Sequence, residues 1–175
     1  LGRSDLEVSE VSLGSWLTYG GGVARERAEA CVRRAFDVGI NFLDTANVYT
    51  RGHSEKIIGD YVGRDPGRRD RTVIATKFFG NLYRGDPNGG GAGRKTIVAS
   101  CEQSLRRLQT DYIDLWQMHD IRTLDDVQAV MRPGGAMEAF EAAKKAGKCR
   151  LIGFTGHFDP DAHVAMLKAY DAWDT

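Results

Sequence analysis

The sequence predicts an α/β protein built on a parallel sheet, and two observations support that prediction. Apolar, strand-like runs alternate along the chain with runs of helical periodicity, which is the pattern of β/α units. Five such units occupy the 175 residues at about 35 residues each, so an eight-unit barrel would need about 280 residues, within the usual range of that fold. The count fits either an open, doubly wound sheet or a (β/α)8 TIM barrel of which about five units are present.

The first two units begin near the N-terminus. The opening stretch, residues 6 to 16, predicts the first strand, and residues 40 to 46 (INFLDTA) predict the second. Between them, apolar residues recur on one helical face of residues 25 to 39, which end on a glycine suited to a C-cap. Residues 54 to 63 predict a short helix with Ser54 as its N-cap.

The third unit contains a long connection. The β-branched run at residues 72 to 77 (TVIATK) predicts a strand, and residues 95 to 109 predict the helix after it. Between the two, residues 80 to 93 are rich in glycine and predict a long flexible loop over the end of the sheet.

The last two units repeat this order. Residues 112 to 119 and 149 to 156 predict the fourth and fifth strands, and residues 136 to 147 and 160 to 173 predict the helices that follow them. Asp159 suits the N-cap of the last helix, and a proline follows it in the first turn.

Composition argues against several classes of function. The 24 basic residues balance the 24 acidic ones, so charge gives no reason to expect nucleic acid or an anionic membrane as a partner. No apolar run approaches the roughly 20 residues of a membrane span, and three widely separated cysteines indicate reduced thiols. We therefore expect a single soluble, cytoplasmic domain over residues 1 to 175.

Two glycine-rich runs invite comparison with nucleotide-binding loops, and neither fits. In YGGGVARE, Arg25 replaces the third glycine of the dinucleotide-binding pattern G-x-G-x-x-G. In NGGGAGRKT, Arg94 stands where the phosphate-loop motif needs a glycine directly before Lys95. Both departures disfavour the open, doubly wound sheet.

Reactive side chains fall where the predicted strands end. Asp44, Lys77 and His119 lie at the C-terminal ends of the second, third and fourth strands, and Thr155 lies near the end of the fifth. Adjacent strands are about 4.8 Å apart, so these side chains are expected within roughly 10 Å of one point, at the end of the sheet where barrel enzymes carry out chemistry. Lys77 needs a partner for its charge, and Asp44 is the nearest candidate. An ion pair that only seals the barrel rim is the alternative.

Tyr49 favours a catalytic site over a structural ion pair. A phenol has an unperturbed pKa of about 10, so it donates a proton readily near neutrality only when a neighbouring cation lowers that value. Lys77 is expected to supply the cation, with Asp44 holding the lysine charged. His119 is expected to hydrogen-bond a substrate oxygen between itself and Tyr49, so the four groups predict general-acid catalysis on a carbonyl.

Six segments, spread over nearly the whole chain, resemble one family. They are LGRSDLEVSEVSLGSW, GINFLDTANVY, HSEKIIGDYV, VIATK, SLRRLQTDYIDLWQMH and GKCRLIGFTGH. In this order they resemble the N-terminal part of an aldo-keto reductase. The resemblance implies a (β/α)8 barrel that reduces a small-molecule aldehyde or ketone with a nicotinamide cofactor, usually NADPH, with NADH as the alternative. It also implies a catalytic tetrad of Asp44, Tyr49, Lys77 and His119, with Tyr49 as the proton donor.

The end of the fifth strand departs from the family pattern. Many relatives end this strand in Gly-Val-Ser-Asn, whose last two side chains hold the nicotinamide carboxamide, whereas here the run is Gly-Phe-Thr-Gly-His. Thr155 can replace the serine, Gly156 has no side chain to offer, and His157 is the candidate to take over that contact.

The end of the first strand is also expected at the cofactor. It contributes Gly14, Ser15 and Trp16. Trp16 belongs either to the core or to the substrate pocket, and we favour the pocket.

The chain ends at DAWDT, where a sixth strand is expected. We therefore expect the barrel domain to be truncated before that strand and the natural protein to be longer. Five strands cannot close an eight-stranded barrel, so residues 1 to 175 alone are expected to leave two sheet edges unpaired and to turn the apolar interior toward water or a neighbour. Aggregation or a homo-oligomer, and no working reductase activity, would follow.

Two other functions stay open. Barrels of the same family also serve as auxiliary subunits of potassium channels, which share the Asp, Tyr and Lys but usually carry Asn where His119 stands, so His119 favours the enzyme. A metal-dependent or phosphate-binding barrel is suggested by the spacing of four potential metal ligands, which are His157, Asp159, Asp161 and His163. Because Asp159 fits a helix cap, we favour the structural interpretation of that run.

Overall fold

The computed structural model describes residues 1 to 175, and its centre is a five-stranded parallel sheet. The strands lie side by side in chain order and are β1 (Leu13–Gly14), β2 (Phe42–Asp44), β3 (Val73–Phe78), β4 (Ile113–Met118) and β5 (Cys149–Phe154). A doubly wound sheet reverses its strand order at a switch point, and this sheet has no such reversal. The prediction of a parallel α/β sheet is confirmed, and the doubly wound alternative is wrong.

Seven α-helices connect or follow the strands. They are α1 (Arg25–Asp37), α2 (His53–Ile58), α3 (Pro66–Arg69), α4 (Arg94–Leu108), α5 (Leu124–Met131), α6 (Ala136–Lys145) and α7 (Pro160–Ala169). A 3-10 turn (Tyr49–Gly52) precedes α2, and a π-helical turn (Gly59–Gly63) extends it. Asp159 caps α7 as predicted, because its side chain accepts a hydrogen bond from the Asp161 backbone at 2.9 Å. None of the helices has the length and apolar character that crossing a membrane requires.

The start of α2 differs from the prediction. The helix begins at His53, and Ser54 lies inside its first turn, where the hydroxyl donates to the carbonyl oxygen of Tyr19 at 2.9 Å. Ser54 is therefore not the N-cap. Its hydroxyl instead ties α2 to the loop that follows β1.

The main core lies between the sheet and its helices. Trp116 of β4, Phe78 of β3 and Phe140 of α6 are fully buried, and their ring centroids are 4.4 to 5.2 Å apart. Side chains alternate along a strand, so the opposite face of β3 carries Ala75 and Lys77. That alternation separates the aromatic core from the face that carries the polar site.

The opposite face of the sheet has a small apolar cluster of its own. Ala75, Leu115 and Leu151 lie side by side in register on three neighbouring strands and are buried. Leu1 and Leu6 pack against them. These three residues, expected to face water or a neighbour, are instead covered by the N-terminal residues of the same chain.

The outer edge of β5 is met by the last residues of the chain. The Asp174 backbone N–H donates to the carbonyl oxygen of Ile152 at 3.0 Å, and its carboxylate accepts from the Ile152 N–H at 2.8 Å. Two of the hydrogen-bonding groups on this edge are therefore paired.

Candidate active site

Three of the predicted site residues are in direct contact. Lys77 Nζ donates to Asp44 Oδ1 at 2.6 Å, to the carbonyl oxygen of Thr45 at 2.9 Å and to Tyr49 Oη at 3.3 Å. An ammonium has three N–H donors, and all three have an acceptor here. Because Tyr49 Oη accepts from the lysine, the hydrogen of the phenol is left to donate to another group.

The sheet register produces this contact. Asp44 is aligned with Ala75 of β3, and Lys77 follows two residues later, so the two side chains emerge from the same face of the sheet. Burial of Lys77 lowers the pKa of its ammonium, and the Asp44 carboxylate opposes that effect. The ion pair is therefore what keeps a charge on a side chain that is only 6% exposed.

A left-handed turn holds Tyr49 in place. The three residues that follow it have positive φ angles, which are 48° at Thr50, 54° at Arg51 and 89° at Gly52. Left-handed backbone costs about 1–2 kcal/mol for each non-glycine residue. The Thr50 hydroxyl compensates in part by donating to the carbonyl oxygen of Tyr19 at 2.8 Å.

The proton affinity of Tyr49 differs from the prediction. Burial raises the pKa of Tyr49 to about 12, and the negative charge of Asp44 adds to the rise. The expectation of a pKa below the ordinary value is wrong, because the burial that penalises the phenolate outweighs the attraction of the Lys77 ammonium, whose charge Asp44 partly offsets. Tyr49 therefore retains its proton at neutral pH, as a proton donor must, and an alkoxide is a strong enough base to take that proton.

His119 faces Tyr49 across the site. It directly follows β4, and its ring lies edge-on to the Tyr49 ring, with the centroids 5.8 Å apart and the planes at 80°. Burial, together with the positive charge of Lys77, lowers the pKa of His119 to about 4, so the imidazole is neutral at physiological pH. Its Nδ1 lies 3.1 Å from Thr155 Oγ1, which leaves Nε2 available to a ligand.

A cleft of about 990 Å³ opens beside Tyr49 and His119. Trp16 lines it and is 66% exposed, with its ring centroid 6.3 Å from that of Tyr49. Trp16 therefore lies at the pocket and not in the core. His157 also lines the cleft, and its ring centroid is 6.3 Å from that of His119.

The sequence did not predict several further residues that line the cleft, among them Phe79, Arg122 and Phe158. Phe79 follows β3 directly, and Arg122 and Phe158 follow β4 and β5 by four residues each. The Arg122 guanidinium lies 4.8 Å from the centre of the Phe158 ring. These residues lie just beyond strand ends, where the loops of a barrel form its active site, and this position in the sequence could have identified them.

The other predicted cofactor residues differ in their exposure, and Gly14 is the exposed one. Gly14 ends β1, and Ser15 is fully buried with no hydrogen-bond partner for its hydroxyl. A Cβ added to Gly156 would lie 1.8 Å from Nε2 of His163, a buried atom that has no hydrogen-bond partner either. His163 thus occupies the space that a side chain at position 156 would need.

Solved structures with the same architecture are aldo-keto reductases. The holo form of one from Bacillus halodurans superposes with a TM-score of 0.79 and 34% identity, over 98% of this chain and 53% of its own. One from Klebsiella pneumoniae, in complex with NADPH, gives a TM-score of 0.72 and 29% identity, over 94% of this chain and 51% of its own. The five strands and their helices form part of the (β/α)8 barrel of these proteins, so the predicted fold class is confirmed.

Two curated proteins are similar to this chain in sequence. A putative voltage-gated potassium channel subunit beta of Schizosaccharomyces pombe is 42% identical over 120 residues, which is 68% of this chain and 35% of its own. An uncharacterized oxidoreductase of Bacillus subtilis is 36% identical over 157 residues, 89% of this chain and 47% of its own. The chain thus spans between about a third and a half of the length of these relatives. The model of the aldo/keto reductase family matches residues 10–173, nearly the whole chain, and the chain therefore belongs to that family.

Proposed function

We propose that the protein is an NAD(P)H-dependent oxidoreductase that reduces an aldehyde or a ketone to an alcohol, with NADPH as the expected cofactor. The observation that carries the proposal is the Lys77 ammonium, which contacts both the Asp44 carboxylate and the Tyr49 hydroxyl beside the cleft. A cation in this place stabilises a phenolate, which is the species left when Tyr49 gives up its proton.

The cleft fits a nicotinamide ring together with a small carbonyl compound. Its volume of about 990 Å³ is near the upper end of the roughly 300–1,000 Å³ typical of small-molecule sites. The residues proposed to hold the cofactor are Gly14, Ser15, Trp16, Asp44, Thr155, Gly156 and His157. Gly156 would act only through its backbone, and the buried Ser15 by shaping the backbone next to Trp16.

The nicotinamide, when bound, supplies a hydride to the carbonyl carbon. The residues of the chain handle the proton and the orientation of the substrate. His119 hydrogen-bonds the carbonyl oxygen, and Tyr49 donates its proton to the same oxygen. Lys77 stabilises the phenolate that remains, Asp44 keeps the lysine charged, and a proton from solvent restores Tyr49.

The test measures NADPH oxidation by the protein, in the form in which its cell makes it, with a panel of aldehydes, ketones and sugars. Tyr49→Phe removes only the hydroxyl, so kcat should fall by about 10²- to 10⁴-fold, the range for loss of a general acid. The Kd for NADPH, measured by fluorescence titration, should change little. Tyr83→Phe, exposed on the loop of residues 80 to 93, is the matched control and should keep wild-type turnover. Near-normal turnover in Tyr49→Phe would remove the phenol from its role.

A non-catalytic, cofactor-sensing subunit of the same fold is the second candidate. The 42% identity to a putative channel subunit favours it, and the histidine at position 119 favours the reductase. Tight NADPH binding without turnover of any carbonyl in the panel would support the subunit, whereas turnover that depends on Tyr49 would contradict it.

A further inference from the structure

The Thr155 side chain joins the end of β5 to the segment that carries His119. Its Oγ1 lies 3.0 Å from the Asp120 backbone nitrogen and 3.1 Å from His119 Nδ1. The main chain around it is held as well, because Thr155 N–H donates to the Met118 carbonyl at 2.9 Å and the Ile121 N–H donates to the Thr155 carbonyl at 2.8 Å. The hydroxyl therefore has a fixed place beside the imidazole.

The two hydrogen bonds determine where the hydroxyl hydrogen points. A backbone N–H can only donate, so Thr155 Oγ1 accepts from Asp120. The hydroxyl hydrogen is then free to donate to His119 Nδ1, which accepts it when that nitrogen is unprotonated. With the opposite tautomer, Oγ1 would accept two hydrogen bonds and its own hydrogen would lose its partner.

We propose that Thr155 is a positioning residue that sets the tautomer of His119, because its hydroxyl donates to Nδ1 and so keeps the ring proton on Nε2. The catalytic consequence rests on the proposed function. An Nε2–H donates to the carbonyl oxygen of a substrate, whereas the other tautomer would turn a lone pair toward that oxygen. Tautomer choice matters at physiological pH because His119 is neutral there, as its lowered pKa of about 4 requires.

The same geometry limits what else Thr155 can do. Once Oγ1 donates to His119 and accepts from Asp120, it has one lone pair left. It can accept a hydrogen bond from an amide nitrogen of a bound cofactor, but it cannot donate to an amide oxygen. While Thr155 donates its hydroxyl hydrogen to His119, it can therefore contact the cofactor only by accepting a hydrogen bond from it.

Nitrogen-15 NMR of the labelled protein, at neutral pH and without cofactor or substrate, reads imidazole tautomers directly. The His119 signals are the pair that disappears in His119→Asn. In the wild type, Nδ1 should resonate as an unprotonated nitrogen and Nε2 as a protonated one. Thr155→Val keeps the side-chain shape and removes the hydroxyl, so both signals should move toward averaged values, and Thr155→Ser should restore the wild-type pattern.

Turnover supplies the second readout. Thr155→Val should lower kcat roughly tenfold or more, and Thr155→Ser, which keeps the hydroxyl, should recover most of that loss. A wild-type His119 protonated on Nδ1 would overturn the inference even if Thr155→Val did not fold, and so would an unchanged spectrum in a folded Thr155→Val. The expected spectra in a protein that reduces no carbonyl would support the tautomer assignment and overturn the proposed function instead.

Discussion

Lys77 is buried, yet each of its three donors has an acceptor. Lys77→Met keeps the length of the side chain and removes the charge, so a phenolate at Tyr49 would lose its counter-ion. We expect kcat to fall by about 10²- to 10³-fold, the range for loss of one stabilising donor, as measured by NADPH oxidation. The Asp44 side chain is 32% exposed, so water can solvate it and the variant should fold. Lys168→Met, exposed on α7, is the control. An unchanged rate and pH profile in Lys77→Met would contradict the proposed stabilisation of the Tyr49 phenolate by Lys77.

Gly156 leaves no room for a side chain. In Gly156→Ala the new Cβ would lie 1.8 Å from His163 Nε2 and 2.7 Å from the carbonyl oxygen of Ile121. The free energy of unfolding, measured by urea titration, should fall by about 1–3 kcal/mol, as for other overpacked sites. Adding His163→Ala should recover part of this loss but not all, because the Ile121 oxygen remains. His163→Ala alone is the reference. If the effects of Gly156→Ala and His163→Ala on the free energy of unfolding were strictly additive, the clash between the new Cβ and His163 would be refuted.

Four reactive residues were predictable because of where they stand in the sequence. Asp44, Lys77 and His119 lie at strand ends, and such ends converge in a parallel sheet. Tyr49 follows β2 closely enough to reach them. The raised pKa of this phenol was not predictable, since it depends on how deeply the folded chain buries the ring.

At the scale of elements, the left-handed turn that follows Tyr49 fixes both the phenol and the start of α2. Gly52 has a φ of 89°, and a Cβ there would lie 2.7 Å from Cδ of Arg107. Gly52→Ala should therefore lower the free energy of unfolding by about 1–2 kcal/mol and reduce kcat by displacing Tyr49. Gly67→Ala is the matched control, because Gly67 lies in α3 without a positive φ and its Cβ would meet nothing closer than 3.4 Å. Equal stability of the two variants would refute the role of the turn.

Elements with strong periodicity were predictable, and those governed by local polar contacts were not. The five strands lie at the apolar runs that predict them, although β1 covers only Leu13–Gly14 of residues 6 to 16, and residues 80 to 93 form turns and bends instead of a helix or strand. The short α5 was missed. Its N-terminus is set by a capping box in which Thr123 and Asp126 bond each other's backbone N–H, and such a pair is easily mistaken for a polar loop.

For the whole molecule, burial of His119 predicts a dependence of stability on pH. The pKa of this imidazole is about 4 in the folded chain, against an ordinary value of 6.5, so the unfolded state binds more protons between these values. His119 therefore favours the folded state fully above about pH 6.5, and that contribution is lost as the pH falls toward 4. Urea unfolding at several pH values should show a shallower decline in His119→Asn than in the wild type across this window. If the free energy of unfolding fell equally in the two proteins as the pH is lowered, His119 would not be the cause of the decline.

The sheet as a whole was predicted more reliably than its surroundings. Strand order and direction follow from repeated β/α units, which leave few ways to connect parallel strands. The cover that Leu1 and Leu6 provide over Leu115 and Leu151 could not be read from the sequence, because it depends on where the N-terminal residues fold back.

The placement of the three tryptophans allows ligand binding in the cleft to be followed by tryptophan fluorescence. Trp116 and Trp173 are buried at 0% and 6% exposure, while Trp16 stands at the cleft mouth with 66% of its surface exposed. A collisional quencher dissolved in water therefore reaches one indole and is shut out from the other two. A molecule bound over Trp16 in the cleft shields that indole from the quencher. The fraction of the tryptophan fluorescence that the quencher removes therefore reports whether the cleft is occupied. The measurement needs no label and does not depend on whether a reaction follows.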